Sequence, residues 1–530
     1  MAVRERVIVV GGGLSGLATA LGAALGGRAV TVFESADRLG GAAAYSGGQV
    51  WVGANHVAAR AGIDDDLQRA ESYVHGIAHD HPDLLDEQAM RRWLTAAPQA
   101  IRYWEDVGAV RWTLIEGLAD YHADVPGALP AGRYLTGEPF GAESLGEWRD
   151  RLQVSPYFRM GTTYADLFAK GRRRTAAAAD AADVVTFGTG LVAGFLARIL
   201  ATEAVEILVS HRVNQLLFDG DGRVIGAEAD GPDGRVQRHG PVVLATSTYD
   251  WDADLVRRFV GLEPEDIGSM APETLRGDAI RLAESAGGAI TTIPASSVPL
   301  VPGWRAPTAT GYENGPEYAM PHAIMVDRAG CRFCDDSYWP SIVPRVVDQH
   351  DPHRPFFLVW DEQHRRKYGL GSTPPGEDYP EGMVTSALTL PELGAALGID
   401  GDQLAATVET FNAHAVRGED PAFGRGSIEF IRRFSGDPGH EPNPLLGPLT
   451  DAPFHGMRLR LLGVGIGSSG VRTDADGHVV DPQGSVVENL YAVGSCAATT
   501  TFGSGYNSGF ALSRGLTLAH LVADELSALP

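Results

Sequence analysis

Val7-Ile-Val-Val10, then Gly11-Gly-Gly13-Leu-Ser-Gly16, then Leu17, Ala18, Leu21 and Leu25 at helical spacing, open the chain. A short β-branched run of this kind reads as a parallel strand buried on both faces. The glycines read as a tight turn, and the spaced apolar residues as one face of a helix. Ala29 to Phe33 reads as a second strand, and it ends at Glu34. Strand, G-x-G-x-x-G turn, helix and strand ending in an acid together predict a βαβ unit that binds a dinucleotide. Gly11 makes the turn and Gly13 lets backbone approach a diphosphate. Leu14 and Ser15 open the helix whose free N–H groups and positive dipole end face that anion, and Gly16 lets helix and strand pack. Glu34, followed by Ser35, is placed to accept a bond from a ribose hydroxyl. The same stretch, Val7 to Phe33, is long and apolar enough to suggest a membrane span. Its glycines and Arg28 interrupt it and no secretory signal is visible, so no integral membrane segment and a cytoplasmic location are expected.

The 530 residues suit more than one domain, and 44% apolar with 8% aromatic content excludes disorder, collagen and coiled coil. A net charge of −24 repels phosphate backbones and anionic lipid, which argues against nucleic-acid partners. Only Lys170 and Lys367 are lysines; the other basic residues are arginines. The runs Arg172–Arg174 and Asp64–Asp66 read as solvated faces. Cys331, Cys334 and Cys496 cannot form a disulfide framework, and the Cys331-x-x-Cys334 spacing has no second pair close by to complete a metal site.

Further along, Thr202 to Val213 and Val224 to Ala229 read as strands around the turn Asp219–Gly222, and Pro241 to Thr246 as another buried strand. Their ends put Val213, Ala245 and Thr246 beside the cofactor. Gly277 to Gly287 reads as an amphipathic helix and Asp474–Gly477 as a hairpin turn. Composition changes from about residue 289 to 444, where ten of the 32 prolines fall between Pro294 and Pro355. Irregular strands there give way to a helical pattern from Pro391 through His414.

Arg38-Leu-Gly40-Gly41 and Ser46-Gly47-Gly48, with Asn489 to Gly494-Ser495 near the other end, resemble the flavin-contacting segments of fumarate reductase-like FAD enzymes. The resemblance implies an α/β fold: a Rossmann-like FAD-binding domain in two segments, 1–288 and 445–530, with an inserted α+β substrate or cap domain over 289–444. It implies FAD as cofactor, bound non-covalently because no His or Cys stands in a recognisable attachment motif. Only one dinucleotide fingerprint is present, so the electrons are expected to leave to an external acceptor: a quinone, another protein or oxygen.

A narrower resemblance, to the 3-ketosteroid dehydrogenases, is carried by Asp120-Tyr121-His122 through Arg133, and by Val326 through Asp336 read as strand-turn-strand. Thr407 to His414, Asp420 to Gly426 and Gly494 through Gly509 also carry it. It implies a small apolar ketone, steroid-like, as substrate. Removing a hydride and the neighbouring α-proton from a ketone requires a donor that polarises the carbonyl and a base for the proton. A phenol donates without bringing net charge into an apolar pocket. By resemblance Tyr506 holds the ketone, Tyr338 is the base with Tyr318 as its competitor, and Tyr121 supports the base. Phe510 stands where the 1(2)-dehydrogenases carry a glycine. Ser508, two after Tyr506 and beside Gly509, resembles the pattern of enzymes acting at the 4,5 bond, which leaves the regiochemistry open. Two alternatives stand beside this one. A non-steroid ketone is possible, and so is a fumarate reductase-like ene-reductase on a small enoate, clamped by candidates among Arg345, His350, His353, Arg354, His440 and His455.

Overall fold

The Val7–Val10 strand lies inside a six-stranded sheet, paired in parallel register with Val30–Phe33 on one side and Val242–Leu244 on the other. Val205–Leu208 and Val486–Ala492 extend the parallel set outward, and His478–Val480 closes one edge antiparallel. The structure is a computed structural model that describes residues 6–169, 183–350 and 352–529. The three central strands are VIVV, VTVF and VVL, buried along their length as a sheet covered on both faces requires. Leu14–Leu25 and the C-terminal helix Phe510–Ala528 pack together on one face.

A three-stranded antiparallel sheet (Arg212–Phe218, Val224–Gly231, Gly234–His239) flanks the parallel one, with the Asp219–Gly222 turn where it was expected. Elsewhere Ala323–Asp327, Phe356–Trp360, Phe454–Arg458 and Thr385–Ala387 form a four-stranded antiparallel sheet. Ile324, Val326, Phe357 and Val359 from one face of it pack against Leu393, Leu404, Val408 and Phe411 of two helices. A further sheet joins Ile267–Ser269, Arg460–Gly463, Val301–Arg305 and Tyr312–Glu313.

Four local expectations are corrected. The span Thr202 to Val213 is two strands in different sheets, broken where Ser210 takes a left-handed φ of 57°. The pattern Pro391 to His414 is two helices, Leu390–Leu397 and Gly401–Ala415, because Gly398 caps the first at φ 75°. No second strand follows Ala323–Asp327: Asp336 turns inward, accepting from Met325 N at 2.7 Å and Arg332 at 2.9 Å. In the Asp64–Asp66 run, Asp64 and Asp66 are exposed as expected, with Asp66 capping the helix Leu67–Ile77, but the Asp65 side chain is buried against Arg133 at 2.7 Å. The Arg172–Arg174 run lies outside the described residues. No helix among the described residues is long and apolar enough to cross a membrane.

Candidate active site

The glycine turn carries out the mechanics its spacing predicts. Gly11 has a φ of +116°, and a Cβ there would stand 2.4 Å from the Ala245 carbonyl oxygen. A Cβ on Gly16 would stand 2.0 Å from the oxygen of Gly11, so any larger residue would push the helix off the turn. Gly13 caps the helix with no side-chain bond, leaving first-turn N–H groups for an anion. The Glu34 carboxylate accepts from Gly12 N and Ala36 N, both at 2.7 Å. Burial raises its pKa, and these N–H donors oppose the rise.

A groove runs along the ends of the parallel strands. Gly11, Gly13, Leu14, Ser15, Glu34, Ser35, Gly41, Ser46, Gly47, Gly48, Val213, Ala245, Thr246, Gly494, Ser495, Ser508 and Gly509 all line it. Gly16 lies beneath the groove, and Gly40 donates to Gly12 O at 2.9 Å rather than facing it. Arg38 is exposed and off the lining, its charge left in solvent. Sequence reading missed Gln49, Ser247, Thr274, Asp278 and the Val464–Ile466 strip, all of which line the groove. Two signals were available: the glycine-rich run Gly463 to Gly470, and adjacency to residues already chosen. The groove fits a large polar cofactor, because Gln49 Nε2 and Ser247 Oγ are buried there without a hydrogen-bond partner among the described residues.

Beside the groove opens a second cavity of about 810 Å³. Tyr506, Ser508, Gln49 and Ser46 line both, so they stand where groove and cavity meet. Tyr121 and Tyr318 are on the wall of the second cavity, with Trp339, Phe430, Phe434 and Met270 supplying apolar surface. Tyr338 is not on that wall. It precedes the helix Trp339–Val347, its ring 6.4 Å from that of Tyr121, and its buried hydroxyl has no hydrogen-bond partner among the described residues.

The tyrosines are held from behind. The Asn507 side-chain oxygen accepts from Tyr73 OH at 2.8 Å and from Tyr121 N at 3.0 Å, tying the Tyr506 loop to the Tyr121 segment. Asp120 accepts from Trp51 Nε1 at 2.7 Å, Arg133 at 2.8 Å and Leu129 N at 2.9 Å, so the residue before Tyr121 cannot drift. Tyr318 lies in the short turn Pro316–Ala319, where Arg425 donates to the carbonyls of Ala319 at 2.9 Å and Met320 at 3.0 Å. Arg425 is in turn paired with Asp336 at 3.1 Å. Asp336 therefore orients Tyr318 at one remove.

Burial, and then Tyr121, push the Tyr506 phenol well above its ordinary range, so it stays protonated. The Tyr506 hydroxyl makes no hydrogen bond to a described residue, which leaves it free for a ligand carbonyl. Burial, Tyr121 and Asp335 raise Tyr318 in the same direction, and the Arg425 charge opposes them. The Ser508 hydroxyl donates to Gln49 Oε1. The candidate carboxylate clamp is dispersed: His353 pairs with Asp327 at 2.9 Å, His455 with Glu362 at 3.1 Å, and His440 bonds the Leu446 carbonyl at 2.9 Å. Neither these nor Arg345, His350 and Arg354 line the cavity.

The FAD binding domain family matches residues 6–512. A 4-oxocyclohexanecarboxylate 2-dehydrogenase from Sinomonas cyclohexanicum is 31% identical, covering 98% of this chain and 92% of its own. A 3-oxosteroid 1-dehydrogenase from Mycobacterium tuberculosis is 28% identical over 99% of both. Among solved structures, a 3-ketosteroid delta1-dehydrogenase from Sterolibacterium denitrificans shares the fold at a TM-score of 0.88. It is 24% identical and covers 99% of this chain and 100% of its own.

Proposed function

The chain belongs to the FAD binding domain family and is an FAD-dependent oxidoreductase, and from that premise we propose that it introduces a C=C bond next to the ketone of a steroid-like substrate. The observation that carries this reading is the position of Tyr506 and Ser508 at the meeting of cofactor groove and apolar cavity. FAD, held non-covalently by the groove residues named above, supplies a hydride acceptor. Tyr506 donates to the ketone oxygen and stabilises the negative charge that grows there as the α-proton leaves. Ser508 is the second donor, released from Gln49 when the ketone arrives. Tyr318, on the cavity wall, takes the α-proton as its tyrosinate and becomes the neutral phenol, with Tyr121 beside it as the supporting residue. Tyr338 is withdrawn from the wall and has no direct part in this reading. The electrons pass on to an external quinone, protein or oxygen.

The cavity volume supports the larger substrate: about 810 Å³ accommodates a polycyclic ligand. The 4-oxocyclohexanecarboxylate relative favours the smaller alternative. The dicarboxylate alternative lacks the clamp it needs at the cavity. We also propose that the inserted substrate-binding part extends to Arg458 rather than ending at residue 444. The pairing of Phe454–Arg458 with Phe356–Trp360 supports that division.

Anaerobic titration of the holoenzyme with saturated 3-ketosteroids and with 4-oxocyclohexanecarboxylate tests the proposal. Bleaching of the flavin by the steroids, with a new double bond adjacent to the carbonyl, is the expected result, and the bond's position gives the regiochemistry. Bleaching by the small keto acid alone would overturn the substrate class. No bleaching by any ketone would overturn the reaction.

A further inference from the structure

Arg514 lies in the C-terminal helix Phe510–Ala528 and is 5% exposed. Its Nε donates to Thr501 Oγ1 at 2.9 Å, and its Nη1 to the carbonyls of Gly494 at 3.4 Å and Ala497 at 3.3 Å. No carboxylate of a described residue lies within ion-pair distance of it. The contrast with Arg133, Arg332 and Arg425 is direct, because each of those has an aspartate within 3.1 Å. A buried cation with no counter-anion is expensive, and three neutral acceptors repay only part of that cost. Burial lowers its pKa to about 10, partly opposed by the thiol of Cys496 and the carboxylate of Asp86, so at neutral pH the charge remains.

What lies on the far side of its partners gives the charge a use. Gly494 lines the cofactor groove, and a Cβ built on it would stand 2.8 Å from Ser15 Oγ. A Cβ on Gly515, the neighbour of Arg514, would stand 2.4 Å from the same oxygen. Ser15 is in the first turn of the helix whose N-terminus faces the diphosphate site. The groove lining offers no unpaired guanidinium of its own, because Arg212 is taken by Asp278 at 2.8 Å, and Glu34 adds an acid.

We propose that Arg514 is the buried counter-charge for the diphosphate of FAD, acting through one layer of backbone at Gly494. The apoprotein then carries an unbalanced positive charge that cofactor binding neutralises. At an effective dielectric near 20, an opposite charge one backbone layer from the diphosphate is worth roughly 10- to 50-fold in affinity.

The test measures FAD release from the holoenzyme by the recovery of flavin fluorescence on dilution, together with the melting of holo- and apoprotein. Arg514→Gln, which keeps hydrogen bonding but not charge, is expected to release FAD roughly 10- to 50-fold faster. Its apoprotein should melt at or above the wild-type temperature while its holoprotein melts lower. Arg514→Lys, which keeps the charge, should hold FAD like the wild type. Unchanged release from Arg514→Gln, or an apoprotein weakened as much as the holoprotein, would mean that Arg514 merely braces the loop. If Arg514→Gln does not fold, the lysine variant decides: release like the wild type supports the proposal, and rapid release overturns it.

Discussion

Replacing Tyr506 by phenylalanine deletes one hydroxyl that bonds to no described residue. The folded protein therefore loses no hydrogen bond, and the ring keeps its edge contacts with Trp339 at 6.1 Å and Phe510 at 6.2 Å. Stability should change by less than about 0.5 kcal/mol, and FAD should remain bound. The transition state, by contrast, loses a donor aimed at the growing enolate charge. Removing one such donor costs about 10²- to 10³-fold in kcat. Ser508 stands at the same junction and can still donate once it turns from Gln49, so the lower end, about 10²-fold, is expected for the single variant. Adding Ser508→Ala should then bring the loss to about 10³-fold or more. The assay is the anaerobic rate of flavin bleaching by a saturated 3-ketosteroid under single-turnover conditions, which isolates the chemical step. A Tyr506→Phe enzyme bleached within about threefold of the wild-type rate would refute the reasoning, whatever its affinity for substrate.

Tyr318→Phe and Tyr338→Phe separate the two candidate bases. The first should lower turnover by about 10²- to 10⁴-fold. The second removes a buried, unpartnered hydroxyl and should stabilise the protein by about 1 kcal/mol in denaturant unfolding, with turnover little changed. The reverse pattern would return the role to Tyr338. Because burial raises the Tyr318 phenol above 10, its ionised fraction should grow steadily with pH, and kcat/KM should climb from pH 7 to 9 without a plateau; a flat profile across that window would count against a tyrosinate base. His478, hydrogen-bonded to Asp474 at 2.8 Å and Glu525 at 2.9 Å, has its pKa raised to about 9. Its contribution to stability is complete below the unfolded value near 6.5 and is lost as pH rises through about 9. After allowance for solvent screening it is worth about 1–2 kcal/mol, and His478→Gln should flatten the fall in unfolding free energy between pH 7 and 10.

The cofactor end was legible in the sequence because its signals are local. A diphosphate-binding turn needs glycine where backbone collides with backbone, and Gly11 and Gly16 stand there for that reason, a few residues from the strands and helix they join. The acid at the end of the second strand follows from the same short unit. Neither the choice of base nor the shape of the substrate site is local. Tyr318 and Tyr338 both follow from the resemblance, and only the tertiary structure puts one on the cavity wall and the other behind it. That placement depends on Arg425 holding the Tyr318 turn from 106 residues away, paired with a carboxylate at Asp336 that the resemblance reads as a strand end. Asp65, one of an acidic run that looks like surface, is buried because Arg133 needs it, and Arg514 is buried where no acid meets it. The sequence by itself determined the βαβ unit and the cofactor, because backbone sterics and side-chain type act within a few residues. The tertiary structure decided which tyrosine lines the cavity and which charges are paired, because burial and Coulomb interactions depend on distances in space that the order of residues does not encode.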